Sequence, residues 1–288
     1  MSIVRRVVIA ATAALVLLAG CAGSGNGDEG ALDAESVRSM PDVGGLARAL
    51  DAPTTTAGAT LAGTAESVAS IATTTPPLAP LAPWQVLVAI VRPEVTLLAL
   101  FDGPDGRAVN FELAMVNPWY FGGELALLVT SGRETDAWLQ VALPTRPNGT
   151  TAWIRASDVT LRTHRVHAEI ALGTRRLRVW DADSLLVDTG IVVGKASTPT
   201  PFGHFFVNAR IEHANAGGAY GPWILSLSGF SEVLDTFDGG LPELAIHGTN
   251  QPGLIGQARS NGCIRVHNDV IRKLAEVVPL GTPVDIVA

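Results

Sequence analysis

The sequence predicts a mainly β protein with one clear helix, preceded by a long irregular N-terminal segment. Three observations lead to this prediction. From residue 84 to the C-terminus, short apolar runs alternate with clusters of Gly, Pro, Asn and Asp, which is typical of antiparallel strands joined by turns. One stretch, residues 268–279, has its apolar side chains at helical spacing. The region before residue 84 is rich in Ala, Thr, Gly and Pro, a composition typical of disordered chain.

The composition of the 288-residue chain allows a large core and argues against nucleic-acid binding. Apolar residues make up 47% of the chain, and the formal net charge is −7. Proteins that bind phosphate backbones need clustered Lys and Arg side chains, and the chain has no basic run. The histidines have no spacing typical of a metal site, and no Gly-rich phosphate loop is present. We therefore expect no nucleic-acid partner and no metal.

The first twenty residues resemble a lipoprotein signal peptide. A short basic start, MSIVRR, is followed by thirteen apolar or small residues, Val7–Ala19, which are too few to span a membrane comfortably. The segment ends in Leu-Ala-Gly-Cys, which is similar to the bacterial lipobox, in which the cysteine (here Cys21) is lipidated and becomes the mature N-terminus. This predicts a cell-envelope protein, lipid-anchored to the outer face of the cytoplasmic membrane. Plain secretion is the alternative.

Three regions follow residues 1–20. Residues 21–83 are expected to form a disordered tether, because they cannot bury enough apolar surface to offset their ordering entropy; a folded helical domain is the alternative. Residues 84–162 predict a small β domain, and its closing stretch, WLQVALPTRPNGTTAWIRASDVTL, resembles the end of bacterial SH3-like barrels. Residues 163–288 predict a second β-rich domain, whose helix should have Asn268 as its N-cap and end before Pro279.

One cysteine of the second β domain is a candidate nucleophile. The chain has two cysteines, and since the lipobox uses Cys21, we expect Cys263 to stay outside any disulfide. A thiol attacks as the thiolate and therefore needs a nearby base. His247 lies sixteen residues upstream, at the end of a predicted strand, and Gly262 permits a tight, positive-φ turn whose N–H groups could form an oxyanion hole. On spacing alone, a buried structural histidine remains the alternative.

Two sequence elements resemble the L,D-transpeptidase family, which has a YkuD-type catalytic domain. Residues 247–249, HGT, match its His-Gly-Thr element, and residues 260–265, SNGCIR, match its Ser-Xaa-Gly-Cys element. Upstream, TPTPFGHF at residues 198–205 is similar to the family's substrate loop. Many members have a second histidine where this chain has Asn261, so the chain departs from the family pattern at that position. The resemblance covers about residues 165–288 and implies a β-rich L,D-transpeptidase domain.

The resemblance also implies roles for the residues of these elements. Cys263 would be the nucleophile and His247 its general base, with the Gly248 carbonyl orienting the imidazole. The N–H groups of Gly262 and Cys263 would hold the oxyanion. The residues implied or expected to bind substrate or shape its site are Ser260, Asn261, Arg265, Thr249, Tyr220 and Trp223.

The activity that the resemblance implies is acyl transfer between peptidoglycan stem peptides, without a cofactor. A tetrapeptide stem would lose its terminal D-alanine, and its acyl group would pass to the amine of a neighbouring stem. Carbapenem β-lactams acylate the nucleophile in this family, so we expect them to acylate Cys263. The alternatives are an L,D-carboxypeptidase or protein-to-wall ligase, a non-catalytic wall-binding lipoprotein, and a purely structural cysteine. His204 and His267 flank the motifs and could touch substrate; the other histidines are expected to be structural.

Overall fold

The computed structural model describes residues 84–104 and 114–288. The predicted signal peptide (residues 1–20), the lipidation at Cys21 and the tether (residues 21–83) lie outside these residues and stay predictions. The described part is mainly β and contains one α-helix, which confirms the predicted fold class at that level. No helix of the described part is long and apolar enough to cross a membrane.

Residues 84–164, here called the N-terminal module, form the first sheet. Their strands are β1 (Val86–Val91), β2 (Leu97–Ala99), β3 (Ala114–Val116), β4 (Ala126–Ser131), β5 (Trp138–Ala142), β6 (Thr151–Arg155) and β7 (Val159–His164). Five of them form an antiparallel sheet in the order β6-β5-β4-β1-β7, and β2 pairs with β3. The last strand thus returns beside the first. It runs to His164, two residues beyond the predicted domain boundary.

Residues 165–288, here called the C-terminal module, form a larger sheet with the helix packed against it. The elements are β8 (Val166–Ala171), β9 (Arg176–Asp181), β10 (Ser184–Gly190), β11 (Val193–Gly194), β12 (Gly203–Glu212), β13 (Trp223–Phe230), β14 (Glu243–His247), β15 (Ala258–Ser260), β16 (Ile264–Arg265), α1 (Asn268–Val277) and β17 (Pro283–Val287). Eight strands follow the order β10-β9-β8-β17-β12-β13-β14-β16, and β11 pairs with β15 in parallel. The last two strands of this order, β14 and β16, are parallel neighbours.

The helix α1 lies where the apolar spacing predicted it. It buries Ile271, Leu274 and Ala275 and contacts β13 and β14. It ends at Val277, before Pro279, as expected. The predicted N-cap is wrong by one residue: the N-cap position belongs to the preceding histidine, and Asn268 is the first helical residue. The Asn268 side chain is therefore available for contacts outside the helix.

The two modules share the strand β12, so their cores are not independent. Phe205 and Val207 pack into the core of the C-terminal module. Phe206, between them, points to the other face, as alternation along a strand requires, and is fully buried in the core of the N-terminal module. Ala209 joins the same N-terminal core, whose remaining buried members all precede residue 160. The N-terminal core is therefore completed by a strand of the C-terminal module.

Candidate active site

Two parallel strands bring the predicted base and nucleophile to one place. Strand β14 is buried along its last four residues and ends at His247, as predicted. The pairing of Ile246 with Ile264 and of His247 with Arg265 places β16 directly beside it. Because Cys263 immediately precedes β16, its main chain lies alongside the end of β14. The loop between the strands thus returns the cysteine to the histidine.

The hydrogen bonding of His247 determines which of its ring nitrogens can act as a base. Nδ1 lies 2.7 Å from the carbonyl oxygen of Gly248. A carbonyl oxygen can only accept, so Nδ1 carries the proton and Nε2 carries the lone pair. Burial lowers the pKa of His247 to about 4, and the positive charge of Arg265 and the nearby His213 act in the same direction. The imidazole is therefore neutral at neutral pH, and Nε2 can accept a proton.

The cysteine sits on a tight loop that is held by internal hydrogen bonds. Gly262 has φ 128°, which confirms the predicted positive-φ turn. The Ser260 hydroxyl donates to the Cys263 carbonyl at 2.6 Å and accepts from the Gly262 N–H at 3.2 Å. Ser260 is fully buried, so it supports the loop from within. The Gly262 N–H, a predicted oxyanion donor, is used inside the loop in this structure.

Two buried threonines hold the nucleophile loop from the other side. Thr200 Oγ1 donates to the Gly262 carbonyl at 2.7 Å and accepts from the Gly194 N–H at 2.9 Å. Thr198 Oγ1 donates to the Ser260 carbonyl at 3.3 Å. Sequence reasoning took this segment for a substrate loop and missed the two supports. A signal was present, because threonines two residues apart in an extended segment point to the same side.

An aromatic side chain lies against the base. The ring of Tyr220 lies 4.9 Å from the ring of His247, centroid to centroid, and is tilted by 50°. His213 packs edge-on against Tyr220 at 6.0 Å, and its Nδ1 lies 3.1 Å from the Gly221 carbonyl. Sequence reasoning gave His213 only a structural place in its loop. Trp223 starts β13, next to the residue that pairs with His247, and is partly exposed.

Asn268 connects the histidine's loop to the loop that carries Tyr220. Its Oδ1 accepts the Thr249 N–H at 2.8 Å, and its Nδ2 donates to the Ala216 carbonyl at 3.4 Å. A side chain on Gly248 would collide with this amide, which explains glycine after the base. Thr249 is buried, so any effect on substrate would act through the loop. The helical pattern suggested only an N-cap for Asn268 and gave no sign of this role.

The remaining predicted site residues lie on the same loop or near its motifs. Arg265 is fixed by two main-chain hydrogen bonds to Val192, at 2.9 and 3.1 Å. Asn261 is partly exposed beside the nucleophile. His204 is exposed and pairs with Asp285 at 2.6 Å, and His267 is exposed just before α1. Within residues 84–104 and 114–288, no three His, Cys, Asp or Glu side chains are grouped to hold a metal ion.

A carboxylate of β14 links the site to the N-terminal module, and sequence reasoning missed it. Cys263 Sγ donates to the main-chain carbonyl of Glu243 at 3.7 Å. The Glu243 side chain accepts hydrogen bonds from the Tyr120 hydroxyl and, at 3.3 Å, from Ser226 Oγ. Burial raises the pKa of Glu243, and burial together with this carboxylate raises the pKa of Tyr120. The hydroxyl is therefore a stable donor.

A cysteine beside a buried neutral histidine is suited to nucleophilic acyl transfer, and comparisons with known proteins agree. Residues 165–286 match the family model of the YkuD L,D-transpeptidase catalytic domain. YkuD of Bacillus licheniformis is 33% identical over 201 residues, which cover 70% of this chain and 99% of the relative. The chain belongs to the L,D-transpeptidase family. The matched region begins one residue after β7 ends, so it coincides with the C-terminal module, henceforth the catalytic domain.

Two further L,D-transpeptidase relatives cover shorter parts of the chain. YkuD of Bacillus subtilis is 38% identical over 120 residues, 42% of this chain and 65% of the relative. A solved L,D-transpeptidase from Mycobacterium smegmatis is 18% identical and covers 56% of this chain and 82% of its own, with a TM-score of 0.36. Since that score is below 0.5, it carries no argument, and the family assignment rests on the Bacillus licheniformis relative, which the chain covers almost completely.

Proposed function

We propose that this chain is a peptidoglycan L,D-transpeptidase, with Cys263 as nucleophile and His247 as general base. The observation that carries the proposal is the Nδ1 contact to the Gly248 carbonyl, which leaves Nε2 as the basic nitrogen of a neutral imidazole. The pairing of β14 with β16 supports it, because it brings the cysteine to that histidine. The family assignment supports the reaction class.

The first half of the reaction would acylate the enzyme. His247 Nε2 removes the Cys263 thiol proton while Sγ attacks the carbonyl carbon before the terminal D-alanine of a tetrapeptide stem. The Cys263 N–H would hold the resulting oxyanion, together with the Gly262 N–H once it leaves Ser260 Oγ. Collapse of the intermediate breaks the peptide bond, and the imidazolium returns its proton to the leaving amine of D-alanine. A thioester remains on Sγ.

The second half would transfer the acyl group. The side-chain amine of a neighbouring stem attacks the thioester carbon, and His247 takes a proton from that amine. The new amide forms as Sγ leaves, and the proton returns to the sulfur. We expect the stems to lie along the aromatic side chains of Tyr220 and Trp223, with Asn261 and Arg265 beside the nucleophile.

We also propose a role for the regions before the catalytic domain. The N-terminal module, a meander whose last strand returns beside the first, is typical of small SH3-like modules and would support the enzyme or bind the cell wall. The lipobox-like ending at Cys21 would anchor the chain in the cytoplasmic membrane, on its outer face. A tether of about sixty residues would span roughly 40–50 Å as a random coil, which allows the enzyme to reach the wall. A Cys21→Ala variant that remained in the membrane fraction would contradict this anchoring.

The deciding experiment incubates the full chain, purified in detergent, with disaccharide-tetrapeptide and follows the products by mass spectrometry. A dimer formed with loss of one D-alanine, absent in Cys263→Ala, is the expected result. Tripeptide without dimer would instead indicate a carboxypeptidase or an enzyme that uses another acceptor, such as a protein. A carbapenem should add to the peptide that contains Cys263. Neither product nor adduct would favour a non-catalytic wall-binding protein.

A further inference from the structure

We infer that the N-terminal module is part of the catalytic apparatus, and that Tyr120 is the positioning residue through which it acts. Tyr120 hydrogen-bonds the side chain of Glu243, and the main chain of Glu243 contacts Cys263. The inference rests on the proposed function only for the reaction that is affected. The contacts from Tyr120 through Glu243 to the thiol of Cys263 can be tested without that reaction.

The connection between the module and the thiol passes through one residue. The Tyr120 hydroxyl donates to Oε1 of Glu243, and Ser226 Oγ donates to Oε2 at 3.3 Å. The carbonyl oxygen of the same Glu243 accepts from Cys263 Sγ at 3.7 Å. Glu243 is also the first residue of β14, the strand that ends at His247. Fixing the Glu243 side chain therefore fixes the start of the strand that carries the base.

A second contact of the N-terminal module holds the chain that leads into β14. The Arg146 guanidinium donates to the Ser231 carbonyl at 2.7 Å and to the Leu234 carbonyl. The Asn148 amide donates to the Phe230 carbonyl and accepts the Phe230 N–H, both at 2.9 Å. These bonds restrain the end of β13 and the segment after it. The N-terminal module therefore restrains both the segment that leads into β14 and, through Glu243, the first residue of that strand.

The local structure around Tyr120 orients its side chain towards Glu243. Its ring packs edge-on against Trp119 at 4.9 Å, and Trp119 is anchored in the module's core. The next residue, Phe121, has φ 53°, a left-handed conformation that a bulky side chain rarely adopts, although this ring is 81% exposed. Strained backbone of this kind persists where the surroundings over-determine it, and it clusters at functional sites. Here it holds the tight turn that presents the tyrosine.

Removal of the Tyr120 hydroxyl should disturb the thiol and leave the fold intact. The half-buried Glu243 carboxyl would lose one of its two hydrogen-bond donors, which favours rotation of its side chain towards water and a shift of the β14 main chain. The hydrogen bond from Sγ to the Glu243 carbonyl would then be weakened or lost. Because donation to a carbonyl stabilises the thiol over the thiolate, its loss should make deprotonation easier. The thiol would also be less well placed for attack.

The test measures alkylation of Cys263 by iodoacetamide from pH 5 to 9 in the full chain, read at the peptide that contains Cys263. In Tyr120→Phe, the pH of half-maximal rate should fall by about half a unit, since deprotonation becomes easier. Dimer formation from tetrapeptide should show kcat reduced about five- to tenfold, the value of one hydrogen bond, with KM nearly unchanged. Glu243→Gln keeps an acceptor for the tyrosine, so its effects should be smaller than those of Glu243→Leu.

The matched control is Thr130→Val, which removes a hydroxyl of the same module that donates only within that module, to Gln140. It should leave both the alkylation profile and kcat unchanged. An alkylation profile of Tyr120→Phe identical to wild type, or an equal change in Thr130→Val, would overturn the inference. If the wild type forms no dimer but the alkylation profiles still differ, the proposed function fails and the positioning role stands. If wild type and Tyr120→Phe form dimer equally well, the proposed function stands and the positioning role of Tyr120 fails.

Discussion

In the N-terminal module, the described residues bury almost only apolar side chains, whereas the catalytic domain buries a set of hydroxyl, amide and imidazole groups. The one buried polar side chain of the described N-terminal module is Asn117, which bonds two nearby carbonyls. In the catalytic domain, the buried polar residues at the site are Thr198, Thr200, His247, Thr249 and Ser260. Apolar contact is non-directional, but each hydrogen bond requires a particular position. The core of the N-terminal module therefore supplies stability, whereas the buried polar groups of the catalytic domain fix the geometry of the site, with Tyr120 as the positioning residue that the N-terminal module adds.

The largest expected effect tests whether these two regions are separable at all. Phe206→Ala should destabilise the protein by about 3–5 kcal/mol, because it removes a fully buried ring from the shared strand β12. Urea unfolding should show one transition, shifted as a whole. Phe202→Ala, whose ring is 61% exposed, is the control and should change the midpoint little. A separate early transition in Phe206→Ala would mean that the catalytic domain folds without the N-terminal core.

The pH dependence of stability tests the buried base of the catalytic domain. Its pKa is lowered from 6.5 to about 4, so the unfolded chain binds this proton first. Stability is thus fully present above pH 6.5 and is lost as the pH falls to 4, by about 3 kcal/mol. The free energy of unfolding, measured with urea, should therefore fall between pH 6.5 and pH 4 in the wild type. In His247→Gln the fall should be smaller by about 3 kcal/mol. Burial also lowers the pKa of His164, but both proteins contain it, so their difference isolates His247. Parallel curves would contradict the buried neutral state.

A smaller effect tests whether the buried hydroxyl of Thr200 is needed to hold the nucleophile loop. Thr200→Val leaves the Gly262 carbonyl and the Gly194 N–H without their partner, at a cost of about 1–3 kcal/mol. Since these groups hold the nucleophile loop, acylation by a carbapenem should slow about tenfold. Thr200→Ser keeps the hydroxyl and should lose much less in a stopped-flow measurement. Equal rates for the valine variant and wild type would show that the loop holds its shape without this support.

Local patterns predicted the parts of the site that depend on neighbouring residues. An apolar run marked the strand that ends at His247, a glycine before the cysteine marked the turn at Gly262, and helical spacing marked α1. The contact of Tyr120 with Glu243 joins residues 123 positions apart, and the bond of Thr200 to the Gly262 carbonyl joins residues 62 apart. Such contacts depend on how strands are ordered in space, which periodicity does not encode. The same limit explains why Asn268 was taken for a cap.

The smallest effect concerns the surface of the N-terminal module. Arg162 and Glu124 form two hydrogen bonds, at 2.6 and 2.8 Å, with both side chains about half exposed. Exposed pairs contribute about 0.2–1 kcal/mol, because water and salt screen them. Arg162→Gln should therefore lower stability by no more than that, and the difference should shrink in high salt. Alkylation of Cys263 should not change, because these bonds stay within the module and do not reach Glu243. A changed alkylation rate would mean that the surface of the module, and not only Tyr120, is coupled to the thiol. The module would then influence the site through more than the contact with Glu243.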